Sequence, residues 1–487
     1  MLFNSFTFLV FFSVVLVCYY IAPHAYRWPL LLVASIIFYM AWNPFLIVLV
    51  IIPSWVNFVA AQRITRSIRA SKRRYWLKVG LFFSFGLLFV FKYLMLFTNT
   101  IMFLLEAVGW EASWLDINVV LPMGISFYTF QLTGYTVDVY RGHIKSERNF
   151  FKLLLFVTFF PQLVAGPIER TERLMPQLFS YKRWSWENFI TGAKFMAFGF
   201  FKKIVIADRI ALAVDTVYAA PKNFEGFHFI VATVLFAFQI YCDFSGYSDI
   251  AIGSAKMLGV HLMQNFRQPY LSKSIREFWG RWHVSLSEWF KDYVYIPLGG
   301  NRCSKWRGAF NVMFTFLVSG IWHGANWTFV IWGALHGFYQ VVENLLSPKP
   351  KRKRRYKRRD YFPIGLFKSV VTFFLVCFAW VFFRANSVQD PFYIIANLNY
   401  GLYQVSDMQY VYDVLNSLGL QLAELLVAFV AILFLLVTEI CCGERCVHES
   451  LMATFLPLRF AFYFIVLFFI MSMGVFYDAG EFIYFQF

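Results

Sequence analysis

Two histidines set among apolar residues are the first candidates for chemistry in this 487-residue chain. His323 lies in Gly320-Ile321-Trp322-His323-Gly324-Ala325-Asn326-Trp327, where one apolar run ends and another begins. Imidazole gains and loses a proton near neutral pH, so it can act as an acid or a base. An ionisable side chain at membrane depth is costly and points to function. The plain alternative is a packing histidine bonded to a neighbouring carbonyl. Gly320 and Gly324 flank it and are expected to leave space for a close-approaching ligand or backbone. His283 lies in Phe278-Trp279-Gly280-Arg281-Trp282-His283-Val284-Ser285-Leu286-Ser287. If that stretch is one helix, Trp279, His283 and Ser287 share a face at four-residue spacing. Its plain alternative is an interfacial anchor with a solvated ring. Asp243 and Asp249 close another apolar run, among hydroxyls, in Tyr241-Cys242-Asp243-Phe244-Ser245-Gly246-Tyr247-Ser248-Asp249. They read either as proton-relay or substrate groups, or as carboxylates that bond Ser, Tyr or Arg and fix a helix break.

Other chemistries lack their templates. No G-x-x-x-x-G-K-[ST], H-E-x-x-H or G-x-S-x-G motif occurs. His323 and His336 stand thirteen residues apart, which is not a convincing haem pair. The seven cysteines show no disulfide framework. Cys441, Cys442 and Cys446 crowd one apolar edge with only His448 beside them, and they are expected to be free thiols, with no metal site.

The elements that must position these residues follow from composition. Hydrophobic residues make up 60% of the chain and charged residues 15%, against about a quarter charged in a soluble domain. That excludes a large water-soluble enzyme. An aromatic content of 22% excludes intrinsic disorder. The apolar runs are long and continuous, unlike the short alternating segments of an outer-membrane barrel. The class expected is all-α, a polytopic integral membrane protein.

A crossing helix needs roughly 20 apolar residues. Candidate spans are Phe6–Ala22, Trp28–Trp42, Phe45–Ala61, Leu77–Phe97, Val119–Tyr140, Phe189–Val205, Phe227–Asp243, Phe310–Gly320, Trp327–Leu346, Leu366–Phe383, Leu420–Ile440 and Phe460–Val475. Phe6–Ala22 has no basic region before it and no clear small-residue cleavage site, so it reads as a retained helix rather than a signal peptide. Pro161, Gly166 and Pro167 interrupt Phe150–Val164, which is expected to dip into the membrane and return.

The net charge of +17 arises from 44 basic and 27 acidic residues. Its location decides its meaning. Nine basic residues fall in Lys349–Arg359 and seven in Arg63–Lys78, neither segment containing an acid. Both lie between apolar spans, so they mark cytoplasmic loops, with some attraction to anionic lipid, rather than a nucleic-acid site. The segment Ala385–Gln421 holds Asp390, Asp407 and Asp413 and no Lys or Arg, and is expected outside. The region Phe266–Trp306 mixes seven Lys and Arg with Trp279, Trp282, Trp289, Tyr293 and Tyr295. It is too polar to cross lipid and too aromatic for an ordinary loop, so it should lie at the interface or line a recess.

Several segments, in order along nearly the whole chain, resemble the membrane-bound O-acyltransferase superfamily. They are Leu121–Gln131, Asp138–Gly142, Pro161–Ile168, Cys242–Asp249, Trp282–Ser287 continuing through Ile296–Arg302, the Trp322-His323-Gly324 block, and the ending Phe482–Phe487. Within the superfamily, Ile296–Arg302 and the ending resemble the bacterial alginate O-acetylation branch, a relative of the D-alanyl transfer protein of teichoic acid synthesis. The resemblance implies one membrane domain over residues 1–487, a ring of tilted helices around a thin centre, with a cytoplasmic funnel at 266–306 and a tunnel across the membrane. It implies His323 as the catalytic residue and His283 in the funnel, supporting it. Trp282, Ser287, Trp322, Asn326 and Asp243 are implied as substrate or tunnel-lining positions. The chemistry implied is transfer of an acyl group, acetyl by default, from a cytoplasmic thioester to a hydroxyl. A positioned base that takes the hydroxyl proton contributes on the order of 10²–10⁴ in rate. The donor expected is acetyl-CoA, with no bound cofactor. The acceptor expected is an extracytoplasmic polysaccharide reached through a secreted SGNH-type partner, and the location the bacterial inner membrane. D-alanyl transfer, and a non-catalytic transporter or scaffold, are the alternatives.

Overall fold

Long apolar runs become helices because a backbone in lipid must satisfy its own hydrogen bonds. The computed structural model describes all residues except 2, 107, 111–121, 165, 347–361, 444–446, 453, 477–481 and 484–487. The basic run Lys349–Arg359, Cys446 and the end of the chain from Tyr484 therefore lie outside the described residues. Among the described residues there is no strand. They fall into two compact units, Met1–Met196 with Tyr247–Gln264, and Ala197–Gly246 with Asn265–Phe487.

The first unit is built on α1 (Phe6–Ile21), α2 (His24–Met40), α3 (Val48–Arg66), α4 (Ala70–Leu88), α5 (Leu94–Glu106), α6 (Ile125–Arg141), α7 (Phe150–Thr158), α8 (Phe160–Leu163), α9 (Thr171–Phe179) and most of α10 (Trp186–Phe200). Small and polar residues tie α3, α4 and α6 together, as they do where apolar surface gives helices no reason to choose one neighbour over lipid. Asn57 donates to Ser84 Oγ at 2.8 Å and accepts from Thr136 Oγ1 at 2.7 Å. A Cβ on Gly80 would lie 2.9 Å from Asn57 Oδ1, so glycine permits the close approach. The break expected near Pro161 falls two residues earlier, at Phe159, and Pro161 opens α8 instead. Proline suits a helix start, where its missing N–H is not needed. The Gln162 amide donates to the Phe156 carbonyl at 2.6 Å, giving that oxygen a partner at the break.

The second unit takes in the end of α10 from Ala197, a π-helical turn, Phe201–Ala207, α11 (Asp208–Ala219) and α12 (Phe227–Met257) as far as Gly246, while α12 from Tyr247 onward belongs to the first unit. It continues through α13 (Ile275–Arg281), α14 (Val284–Phe290), α15 (Lys305–His323), α16 (Trp327–Leu346) and α17 (Phe362–Arg384). It ends with α18 (Gln389–Ala396), α19 (Met408–Asn416), α20 (Leu422–Cys442), α21 (Val447–Met452) and α22 (Leu456–Met473). The acidic segment 385–421 thus contains the two helices α18 and α19.

Six helices among the described residues are long and apolar enough to cross a membrane: Pro44–Arg66, Ala70–Glu106, Phe227–Met257, Pro363–Arg384, Leu422–Cys442 and Leu456–Met473. The sequence reading offered twelve. The difference lies partly in length, since α1 is apolar but has only 16 residues, and partly in helices such as α6 and α16, which turn polar residues inward. Helix α6 buries Thr129, Gln131, Thr133 and Thr136, and α16 buries His336.

Candidate active site

The helical hairpin α15–α16 carries His323 at the last position of its first arm. Glycines bring the two arms close. A Cβ on Gly320 would meet the Phe329 carbonyl oxygen at 2.3 Å, and one on Gly333 would meet the Phe316 carbonyl oxygen at 2.5 Å. A Cβ on Gly324 would fall 2.0 Å from the Phe329 ring. Of the two expected uses of the space beside Gly320 and Gly324, a ligand or a backbone, the structure shows the backbone of α16 at Gly320 and the Phe329 ring at Gly324. These glycines position His323 rather than expose it.

His323 is buried, with 3% of its surface exposed. Its ring centroid lies 4.8 Å from Trp322, 4.8 Å from Trp332 and 5.4 Å from Phe383, each near edge-to-face. Trp322 is itself buried and packs at 6.3 Å on Phe290 of α14. Asn326 lies on the turn between the arms. Its Oδ1 accepts from Thr328 N–H at 3.1 Å and its Nδ2 donates to the Asn386 carbonyl at 3.0 Å, so it caps α16 and ties the turn to the end of α17.

The one-helix reading of residues 278–287 is corrected. The helix breaks at Trp282, and His283 takes a left-handed conformation with φ of 42° before α14 begins. Trp279, His283 and Ser287 therefore do not share a face. Asn265 holds the break: its carbonyl accepts from Val284 N–H at 2.9 Å, and its Oδ1 accepts from Ser285 Oγ at 2.6 Å and Ser285 N–H at 3.2 Å. His283 is fully buried, with its ring 4.7 Å from Phe244. Burial pushes its imidazole down from 6.5 to about 3. Trp282 is buried in the aromatic core, 5.2 Å from Trp380 and 5.5 Å from Phe278.

Ser287 lines an open cavity of about 940 Å³ between α13–α16 and the turn joining α14 to α15. Arg276, Lys291 and Lys305 contribute its charged walls, and Trp279, Phe290 and Phe316 its aromatic ones. Ser319 also lines it, four residues before His323 on α15, so the cavity reaches within about 6 Å of axial rise of the histidine.

Asp243 stands apart from this cavity. Lys203 Nζ lies 2.7 Å from Asp243 Oδ1 and 2.6 Å from Asp208 Oδ1, all three side chains nearly inaccessible. Asp243 Oδ2 also accepts from Ile483 N–H at 2.7 Å, which fixes the described end of the chain. The partner is a lysine, where Ser, Tyr or Arg was expected. Asp249 belongs to the first unit. No group of three or more metal-ligating side chains occurs among the described residues.

Sequence reasoning overlooked Asn265, Trp332 and Phe383, and used His336 only to dismiss a haem pair. A signal was present for two of them: Trp332 and His336 lie four residues apart on one helix face.

Comparison with known proteins agrees with this geometry. Residues 141–383, which include α13–α16, match the MBOAT, membrane-bound O-acyltransferase family. A Pseudomonas aeruginosa protein named "Probable alginate O-acetylase AlgI" is 37% identical over 437 residues, 89% of this chain and 81% of its own. A Helicobacter pylori peptidoglycan O-acetyltransferase is 32% identical over 395 residues, 76% of this chain and 73% of its own. A Bacillus subtilis teichoic acid D-alanyltransferase is 28% identical over 288 residues, 55% of this chain and 70% of its own. Helices able to cross a membrane, a buried histidine one helical turn beyond the wall of a basic cavity and relatives of this extent lead to one assignment: the chain belongs to the membrane-bound O-acyltransferase family, and is a multi-pass membrane acyltransferase.

Proposed function

We propose that the protein transfers an acetyl group from cytoplasmic acetyl-CoA toward hydroxyls of an extracytoplasmic polysaccharide, in a bacterial inner membrane and through a secreted SGNH-type partner. The observation that supports this best is the cavity. Its Arg276, Lys291 and Lys305 suit the phosphates of a coenzyme A thioester, and its wall at Ser319 ends one helical turn short of His323. His323 takes the proton of the attacking hydroxyl. The hydroxyl oxygen bonds to the thioester carbonyl carbon, the carbon–sulfur bond breaks, and the proton passes to the leaving thiolate. His283, kept neutral by its burial, supports the funnel wall rather than carrying charge to the donor.

Acetyl is favoured over D-alanyl because the two O-acetylating relatives align over 89% and 76% of this chain, the D-alanyl transferase over 55%. The test is incorporation of label from radiolabelled acetyl-CoA into ester-linked product by inverted membrane vesicles. His323→Gln keeps hydrogen bonding but cannot accept the proton at neutral pH, and should abolish incorporation at normal protein levels. Near-native incorporation would remove His323 as the base. Sidedness is tested by a cysteine placed at Lys353, which an impermeant reagent should leave unlabelled in intact cells.

A further inference from the structure

His336 does not line the cavity and is fully buried, at the middle of α16 and one turn beyond Trp332. Trp279 Nε1–H donates to His336 Nδ1 at 3.3 Å. An imidazole that accepts at Nδ1 is neutral and carries its hydrogen on Nε2. Among the described residues that Nε2 has no hydrogen-bond partner. The His336 ring lies 5.1 Å from Trp279 and 4.9 Å from Trp332, and Trp332 lies 4.8 Å from His323. The indole N–H of Trp332 likewise has no hydrogen-bond partner among the described residues. Trp332 is therefore held by the rings around it and not by a polar anchor of its own. The Trp279–His336 bond supplies an anchor one ring away. Trp279 also lines the basic cavity. The result is a continuous contact from cavity wall to candidate base: Trp279, His336, Trp332, His323.

We propose that His336 is a positioning residue for acyl transfer. Oriented by Trp279, it fixes the Trp332 indole, and through it the His323 imidazole, relative to the wall of the cavity. This rests on the reading of His323 as the base and of the cavity as the donor side. Such a residue acts on the chemical step and not on donor affinity.

The inverted-vesicle assay with radiolabelled acetyl-CoA tests it, read as maximal rate and donor KM separately. His336→Phe keeps a ring but loses the acceptor, and Trp279→Phe keeps a ring but loses the donor. Each should lower the maximal rate on the order of tenfold, and donor KM should stay unchanged in His336→Phe, whose residue does not line the cavity. Because both changes break one link, the double variant should be no slower than the slower single. His336→Asn, whose Oδ1 can take the place of Nδ1 as acceptor, should recover most of the rate, which a merely space-filling role would not allow. A normal maximal rate in His336→Phe, a rise in KM alone, or multiplicative losses in the double variant would overturn the proposal. Should His336→Phe fail to accumulate, Trp279→Phe decides the matter, and a normal maximal rate there overturns it. His323→Gln in the same vesicles isolates the premise. Retained transfer in that variant overturns the reading of His323. Lost transfer beside normal rates in Trp279→Phe and His336→Phe overturns this inference alone.

Discussion

Gly320→Ala should damage catalysis although alanine is the better helix former by about 1 kcal/mol. The added Cβ would sit 2.3 Å from the Phe329 carbonyl oxygen and 3.1 Å from Gly333 Cα, while ordinary contact begins at 3.4 Å. Both obstacles are backbone, so no rotamer change relieves them. The arms α15 and α16 must therefore part by about 1 Å at this crossing. Overpacking of this kind costs about 1–3 kcal/mol of stability. His323 lies three residues further along the displaced arm, and a misplacement of about 1 Å in a reacting group costs on the order of 100-fold in rate. The measurement is label transfer from acetyl-CoA in inverted vesicles, normalised to folded protein, with a thermal unfolding midpoint in detergent. Gly86→Ala is the control, because a Cβ there meets nothing within 4 Å. It should leave both quantities unchanged or raise the midpoint slightly. A normal rate and midpoint in Gly320→Ala would show that the close crossing does not set the position of His323.

Further outcomes are expected at three other residues. Lys203→Met strands the Asp208 and Asp243 carboxylates in a buried site, which should cost about 3–5 kcal/mol and appear as loss of folded protein on size-exclusion chromatography. His283→Ala should impair transfer in a protein that still inserts. Because burial lowers the His283 pKa in the folded state to about 3 from 6.5, the unfolded chain binds the extra proton first as pH falls. Stability from this group is thus complete above pH 6.5 and declines as pH drops toward 3, with a slope of up to about 1.4 kcal/mol per pH unit. The unfolding midpoint of His283→Phe should fall less steeply over that window, and an equal slope would show that His283 does not titrate this way. Asn326→Ala removes the α16 cap and the link to Asn386, at about 1 kcal/mol, visible as a lower midpoint and a slower rate.

The amino-acid sequence by itself determined the class of molecule. Long apolar runs in a chain with 15% charged residues can only be helices in lipid. It also singled out His323, since an imidazole between apolar runs is costly unless it is used. The interfacial character of 266–306 was legible from its basic and aromatic mixture, and the break before α8 was legible to within two residues from its proline. Local sequence could not say what faces a residue across space, and the site depends on that. The φ of 42° at His283 is stabilised by Asn265, eighteen residues earlier, so helical spacing alone suggested an unbroken face. Gly320 and Gly324 marked a close approach of ligand or backbone, and which it was could not be read locally because their neighbours, Phe329 and Gly333, arrive only when α16 folds back on α15. Asp243 read either as a relay or substrate group or as a carboxylate bonded to Ser, Tyr or Arg, and only the π-helical turn at 201–207 brought Lys203 to it. Trp332 and His336 carried a four-residue spacing common to core packing, and only the tertiary structure set one beside His323 and the other against Trp279. Periodicity reports which residues share a face of one helix. Which faces meet is decided by close packing between helices, and here that packing places His323.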